Sequence, residues 1–380
     1  MRRLAAVIFH RPWGTSAGEL LVSSARQAAT RDLISSLRDV DLEPQLVLAP
    51  SDGRAQWVED LNVEVLEATE QAPFHFGRAL QKYLLDREIQ GLLYFGSGSG
   101  YLLDRSLLAA LRRFAERDRP GAVLNNFYSC DFAAVASAEF LLDTDLPEID
   151  NPFGFALANG GIPCYALQRS AETQFDIDTP TDVFILRASG RGGPSVRAFL
   201  DNLELPHPQL DEILALMTER TAHVCLAGRV NPRTWADIES KVACRTSGLI
   251  EGRGMRSQRN PRDPVIQQVI RESGPSAFFE RLARAYDGAV IDTRALLADA
   301  GRLPEARERF ASDLLRTEDI DDPLWLAFTE AAIESPIPVL LGGHSAVSGG
   351  LYLLADACWK GRELVRRLHP EPFDPDKEQS

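Results

Sequence analysis

The stretch GLLYFGSGSGYLLDRSLLAALRRFAE, residues 91–116, reads as strand, tight loop and helix in one run. Its first six residues are uncharged and mostly apolar, which suits a strand covered on both faces, as in parallel sheets flanked by helices. Small residues in GSGSG, 96–100, let the chain turn sharply and bring backbone N–H groups near a ligand. From about Leu103 to Glu116 the leucines recur at helical spacing, with Asp104 as the candidate cap.

The same grammar continues on both sides. LAAVIF at 4–9 is another buried-strand run, followed by the turn-like RPWGTSAGE and a helix expected over about 23–38, with Leu33, Ile34 and Leu37 on its apolar side. QLVLAP at 45–50 predicts a strand ended by Pro50 and the SDG turn, 62–66 a weaker strand, and 76–87 a helix. GAVL at 121–124 is a strand running into the polar NNFYSCDF. Alternating apolar runs and helices predict an α/β fold, a Rossmann-like, mostly parallel sheet flanked by helices.

Between 187 and 211 the chain changes to RASGRGGPS and ELPHPQLDE, so a first domain over 1–190 and a second over 205–370 are expected. The second is read as a smaller α/β or mainly helical unit for accessory, substrate-binding or oligomerisation roles, which leaves a homo-oligomer as an expectation. Its apolar runs are HVCLAG at 223–228, DGAVIDTRALLAD at 287–299 and IPVLLGGHSAVSGG at 337–350, with a closing helix over 350–367. No fixed-period repeat joins the halves.

Composition narrows the function classes. At 380 residues, 44% apolar and 25% charged, the chain is globular in kind, and no apolar segment reaches the length of a membrane span. The opening MRRLAAVIFHRPWG is expected to be a strand, because His10 and Arg11 interrupt it too early for a signal peptide. Cysteines 130, 164, 225, 244 and 358 are odd in number and widely spaced, which predicts free thiols, no structural zinc and a cytoplasmic location. A net charge of −14 disfavours nucleic acid and anionic membranes as partners. Lysines occur only at 82, 241, 360 and 377, so phosphate binding must rely on arginine and backbone N–H groups.

The densest chemistry lies in FDIDTPTD, 175–182. Asp176 and Asp178, two apart, point to one side of an extended chain, and Thr179 and Pro180 can start a helix. Such carboxylates suit Mg²⁺ or, alternatively, form a capping cluster, while Asp182 falls in the first helical turn and suits the helix dipole. GSGSG is neither a Walker A loop nor a GxGxxG fingerprint, and its contact would be with phosphate or ribose.

FDIDTPTD resembles the D-I-D-T-P-x-D or N-I-N-T-P-x-D segment of molybdenum-cofactor guanylyltransferases and 2-phospholactate guanylyltransferases, nucleotidyltransferases of the GT-A-like fold. The likeness extends over most of 4–187. It implies a divalent metal between an aspartate of the G-S-D-x-P-L-L motif and an Asp or Asn of the last motif, with a nucleoside triphosphate, GTP being one candidate, over the loop after the first strand. This chain departs from the pattern: Gly98 stands where that aspartate would be and Gly100 where the proline would be. The first loop, 10–18, lacks the dense Gly/Ser/Arg pattern and a following lysine, leaving Arg11 and Arg26 as substitutes.

The resemblance therefore implies a nucleotidyltransferase passing an NMP group to a small phosphorylated or hydroxylated, anionic metabolite and releasing pyrophosphate. Arg11 and Gly14 would meet the phosphates, and Gly96, Ser97, Gly98 and Ser99 the nucleotide. Asp131, in the polar run 125–131, would join Asp176 in catalysis, and Asp131, Asp176 and Asp178 would hold the metal. Other readings are a catalytically degenerate nucleotide-binding or scaffold protein, or a sugar-nucleotide glycosyltransferase using Asp143 and Asp145. Asp150–Gly154 with Gly160 and Gly161 could shape an acceptor pocket, and His75 suits a helix cap better than a base. In the second half, Gly228–Asn231 and Glu251–Arg256 carry arginines suited to anions or ion pairs, and Gly342–Gly350 could receive an anion. His344 and Ser345 are adjacent without an acidic partner, so a hydrolase triad is not supported.

Overall fold

The computed structural model describes residues 3–11, 14–48, 56–67, 74–204, 206–207, 209–250, 264–298 and 303–362. Pro50, the SDG turn, the Glu251–Arg256 segment and the expected helical residues beyond 362 lie outside them.

The first half builds a seven-stranded sheet from β1 (Leu4–His10), β2 (Pro44–Leu48), β3 (Glu64–Glu67), β4 (Gly91–Gly96), β5 (Gly121–Leu124), β6 (Phe132–Ala136) and β7 (Cys164–Ala166). Their order is β3-β2-β1-β4-β6-β5-β7, parallel except that β6 runs antiparallel to both β4 and β5. β6 was not foreseen in the sequence because FAAVA is rich in alanine, a weak strand former. It fits because all five of its residues are buried at the sheet centre, where small side chains leave room for the covering helices.

Helix α1 (Ala17–Arg38) starts earlier than expected. Ser16 and Glu19 form a capping box, Glu19 N–H donating to Ser16 Oγ at 3.3 Å and Ser16 N–H to Glu19 Oε2 at 3.1 Å. Helix α2 (Phe76–Arg87) takes His75 as its cap, Arg78 N–H donating to His75 Nδ1 at 3.2 Å, and α3 (Arg105–Ala115) takes Asp104.

The second half contains a four-stranded, all-parallel sheet, β8 (His223–Gly228), β9 (Arg245–Ile250), β10 (Gly288–Asp292) and β11 (Val339–Gly342), ordered β11-β10-β8-β9. Between the sheets lies α4 (Pro180–Ser189), in which Val183, Phe184, Ile185 and Leu186 are all buried. A helix apolar all round must be covered on every side. Here α1 covers one side and the C-terminal helix α5 (Gly349–Ala357) another. One contiguous hydrophobic core therefore runs from Ile8 and Phe95 in the first sheet to Leu226 and Leu340 in the second. No helix among the described residues is long and apolar enough to cross a membrane, and none of the five cysteines is in a disulfide.

Candidate active site

In open parallel sheets ligands bind beyond the carboxyl ends of the strands. Both sheets of this chain present those ends to one shared cavity of about 920 Å³. His10 and Gly96, at the ends of β1 and β4, line it from the first half. Arg229 and Gly343, just beyond β8 and β11, line it from the second.

The acidic floor comes from two loops. After β5, Asn125 closes the 125–131 loop by donating Nδ2–H to Asp131 Oδ2 at 2.7 Å and accepting the Asp131 N–H on Oδ1 at 2.9 Å. Gln174 Nε2–H donates to the Asn125 carbonyl at 2.8 Å, tying that loop to the segment before Asp176. Asp182 holds the second loop as the inner half of a capping box, accepting N–H donations from Asp178 at 3.0 Å and Thr179 at 2.8 Å. Asp182 thus has the helix-start role read from the sequence.

Arg26, projecting from α1, is the cation of this acidic nest. It donates Nε–H to the Ile177 carbonyl at 2.6 Å and Nη2–H to Asp178 Oδ1 at 2.7 Å, and its Nη2 lies 4.0 Å from Asp176 Oδ2. Burial, then the charge of Asp178, pushes Asp131 up to about 8, and the same two causes hold Asp176 well above the usual carboxylate range. Asp176 Oδ1 is buried without a hydrogen-bond partner.

Gly98 explains where the aspartate expected from the family pattern would have to go. At φ +100° its added Cβ would lie 2.7 Å from Asp176 Oδ1 and 3.2 Å from Arg26 Cγ and Nε. Arg26 and Asp176 therefore fill the space that a side chain at 98 would need. Ser99 directs its hydroxyl at the Gly96 and Asp131 carbonyl oxygens, at 2.8 and 3.1 Å, and ties β4 to the 125–131 loop. Arg11, Gly14, Gly96, Ser97, Asp131, Asp176 and Asp178 line the cavity, whereas Gly98 and Ser99 stand behind its wall. Asp143 and Asp145 are exposed and away from it, and Gly160 and Gly161 end a short helix.

Several lining groups had no signal in the sequence pattern. His10 is 2% exposed, sits 4.8 Å from the Trp57 ring and has both ring nitrogens unpartnered. Burial, and then the Arg26 charge, lowers it to about 3, so it is a neutral imidazole. Phe9, Phe74, Phe76 and Tyr94 make an aromatic end, with ring centroids 4.9–6.0 Å apart, and Tyr94 donates its hydroxyl proton to Asp150 Oδ2 at 2.6 Å.

In the glycine-rich 342–350 loop, expected to receive an anion, the structure shows a packing role. An added Cβ on Gly349 would lie 2.2 Å from Phe175 N and Cα, so α5 presses directly on the backbone beside Asp176. Asp176 N–H donates to Ser345 Oγ at 3.1 Å, and Thr181 Oγ1–H to the Leu341 carbonyl at 2.5 Å. The second half thereby fixes the backbone of the acidic motif.

No family model matches this sequence, and no curated protein matches it. Among solved structures, it is similar to a cytidylyltransferase of Leptospira borgpetersenii, at 13% identity and TM-score 0.40, covering 55% of this chain and 100% of that one. A protein of Desulfovibrio desulfuricans G20 described for nucleotide-diphospho-sugar transfer gives 10% identity and TM-score 0.39, covering 53% and 95% respectively. CMP:2-keto-3-deoxy-manno-octonic acid synthetase, solved with CTP, gives 10% identity and TM-score 0.32, covering 43% and 89%.

Proposed function

We propose that this chain is a nucleotidyltransferase that binds a nucleoside triphosphate in the shared cavity and passes its NMP group to a small anionic acceptor. The observation that carries this reading is the grouping of Asp131, Asp176 and Asp178 around Arg26 at the ligand-facing end of the first sheet. Its volume, about 920 Å³, suits a nucleotide together with a small second substrate.

In this reading the nucleobase packs against the Phe9, Phe74, Phe76 and Tyr94 end, and His10 offers its unpartnered nitrogens. Arg11 and Arg26 face the phosphates. An oxygen of the acceptor attacks the α-phosphorus, the bond to the β-phosphate oxygen breaks, and pyrophosphate leaves with that electron pair. The protein contributes by positioning and by compensating charge, with no covalent intermediate.

The residues fit a hard divalent cation such as Mg²⁺. Their donors are oxygens, burial and the charge of Asp178 hold Asp131 and Asp176 above the usual carboxylate range, and Asp176 Oδ1 has no hydrogen-bond partner. Among the described residues no three acidic, histidine or cysteine side chains are grouped to hold an ion. At most two carboxylates, Asp176 and Asp131, would therefore share the ion with triphosphate oxygens, the usual manner for magnesium, and Asp178, expected as a third ligand, is held by Arg26 instead. When bound it would neutralise charge on those oxygens.

Asp176→Asn tests the assignment, with pyrophosphate release followed for each nucleoside triphosphate in the presence of Mg²⁺. Loss of roughly a hundredfold in turnover with an unchanged melting temperature is expected. Retained turnover removes Asp176 from the chemistry. A nucleotide-binding protein without transferase activity is the second reading, favoured by Gly98 and by the Arg26–Asp178 pair occupying the nest. Its mark is nucleotide binding without pyrophosphate release from any acceptor.

A further inference from the structure

The wall contributed by the second half carries groups that the proposed transfer does not use. Arg229, just past β8, donates Nε–H and Nη2–H to the two oxygens of buried Asp292 at 2.6 and 2.9 Å, which fixes its guanidinium at the cavity with Nη1 outside both bonds. Arg294, just past β10, is held through both Nη groups by Asp313, with Nη2 to Oδ2 at 2.6 Å, and its Nη1 also donates to Thr293 Oγ1 at 2.8 Å and the Gly342 carbonyl at 3.1 Å. Two arginines locked by buried carboxylates are set before any ligand arrives, so little side-chain entropy is lost on binding.

Beside them, after β11, lie His344, Ser345 and Ser348. Ser348 is 1% exposed, faces the cavity, and its Oγ has no hydrogen-bond partner. A buried hydroxyl left unpaired costs about 1–3 kcal/mol unless a ligand or water meets it. Ser345 Oγ accepts from the Asp176 N–H, so its own proton is available to donate. His344 is neutral at physiological pH, because burial and then the Arg229 charge lower it to about 4. These groups are donors or can act as donors, and they adjoin the motif that bears Asp176.

We infer that Ser348, Ser345, His344 and the locked Arg229 and Arg294 form a subsite for an oxyanion, the phosphate or carboxylate group of the acceptor. The inference rests on the proposed function for the identity of that ligand and stands on this wall alone for the existence of the site. It divides the work between the halves: the first holds the nucleotide, and the second holds the acceptor by its charged group. An anionic acceptor anchored there has its reactive oxygen beside Asp176.

Binding of orthophosphate and of malonate to the full chain, measured by isothermal titration calorimetry with and without a saturating α,β-methylene nucleotide, tests the site. The wild type should bind at least one of the two anions, which tells phosphate from carboxylate, and should keep binding it when the nucleotide is present. Ser348→Ala should weaken anion binding about tenfold or more and leave nucleotide affinity unchanged. Folding is not at risk in that variant, because it deletes an unpaired buried hydroxyl. Absence of anion binding, equal affinity in Ser348→Ala, or displacement of the anion by the nucleotide overturns the inference. Anion binding that depends on Ser348 in a protein that binds no nucleotide keeps the subsite and removes the transferase reading instead.

Discussion

Replacing Gly349 by alanine tests whether the second half holds the acidic motif in place. Two effects compete. Alanine is favoured over glycine in a helix by about 1 kcal/mol, so on propensity alone the variant would be more stable. Against this, the new Cβ would stand 2.2 Å from Phe175 N and Cα and 2.4 Å from the Gln174 carbonyl carbon, all of them backbone atoms that cannot rotate away. Restoring ordinary contact requires α5 to move off the 174–176 segment by about 1.2 Å. That shift stretches the 3.1 Å bond from Asp176 N–H to Ser345 Oγ past hydrogen-bonding range. Overpacking of a dense core costs about 1–3 kcal/mol and the lost bond about 1 kcal/mol, so the contact outweighs the propensity gain and the net loss is about 1–3 kcal/mol. Urea unfolding followed by tryptophan fluorescence would show the midpoint falling by roughly 0.3–1 M for a slope near 3 kcal/mol/M. Nucleotide affinity should fall with it, because the Asp176 backbone moves. A midpoint equal to or above the wild type, with unchanged nucleotide affinity, would refute the claim that α5 positions Asp176.

Two further outcomes follow from the charge of the nest. Asp131 binds its proton more tightly folded, with its affinity pushed up to about 8 from an ordinary value of 3.8, so its contribution to stability is fully present below about pH 4 and lost as pH rises towards 8. Asp131→Asn removes that titration: over pH 5–8.5 its melting temperature should decline less than that of the wild type, by the equivalent of about 1–3 kcal/mol, and parallel curves by scanning fluorimetry would contradict the assignment. Gly98→Asp writes the aspartate of the family pattern into a position at φ +100° already filled by Asp176 and Arg26. It should lose about 2–4 kcal/mol and gain no Mg²⁺ affinity in a calorimetric titration, whereas a stable variant with tighter Mg²⁺ binding would show that the vacancy at 98 alone separates this chain from the pattern.

What the sequence made legible follows the range of the forces involved. β1, β2, β4, β5, β8, β10 and β11, and more weakly β3, were readable because each is a short, mostly apolar run bounded by turn residues, a pattern contained within about ten residues. β6, β7 and β9 were not, since FAAVA, CYA and RTSGLI owe their pairing to neighbours and not to their own propensity. Asp176, Asp178 and the Thr179–Asp182 capping box were legible for the same local reason. Ser16 and Glu19 carried an equally local signal, three apart, that marks the true start of α1.

The arrangement of the halves depends on contacts across more than a hundred and fifty residues, such as Asp176 with Ser345 and Thr181 with Leu341. Composition places a change of character after residue 187, yet the helix just before it, PTDVFILRAS, has four consecutive large apolar residues at 183–186. A helix lying on one sheet would show a single apolar stripe, so this run already called for a second covering surface. That surface is α5, whose Gly349 makes the close approach to Phe175. Once α4 is enclosed from both sides, the strand ends of the two sheets open into the same cavity, and the acidic motif donates hydrogen bonds to the second half while its carboxylates and Arg26 belong to the first. The site is therefore a property of the interface between the halves, which is why a motif scan finds its acidic floor and passes over its arginine and serine wall.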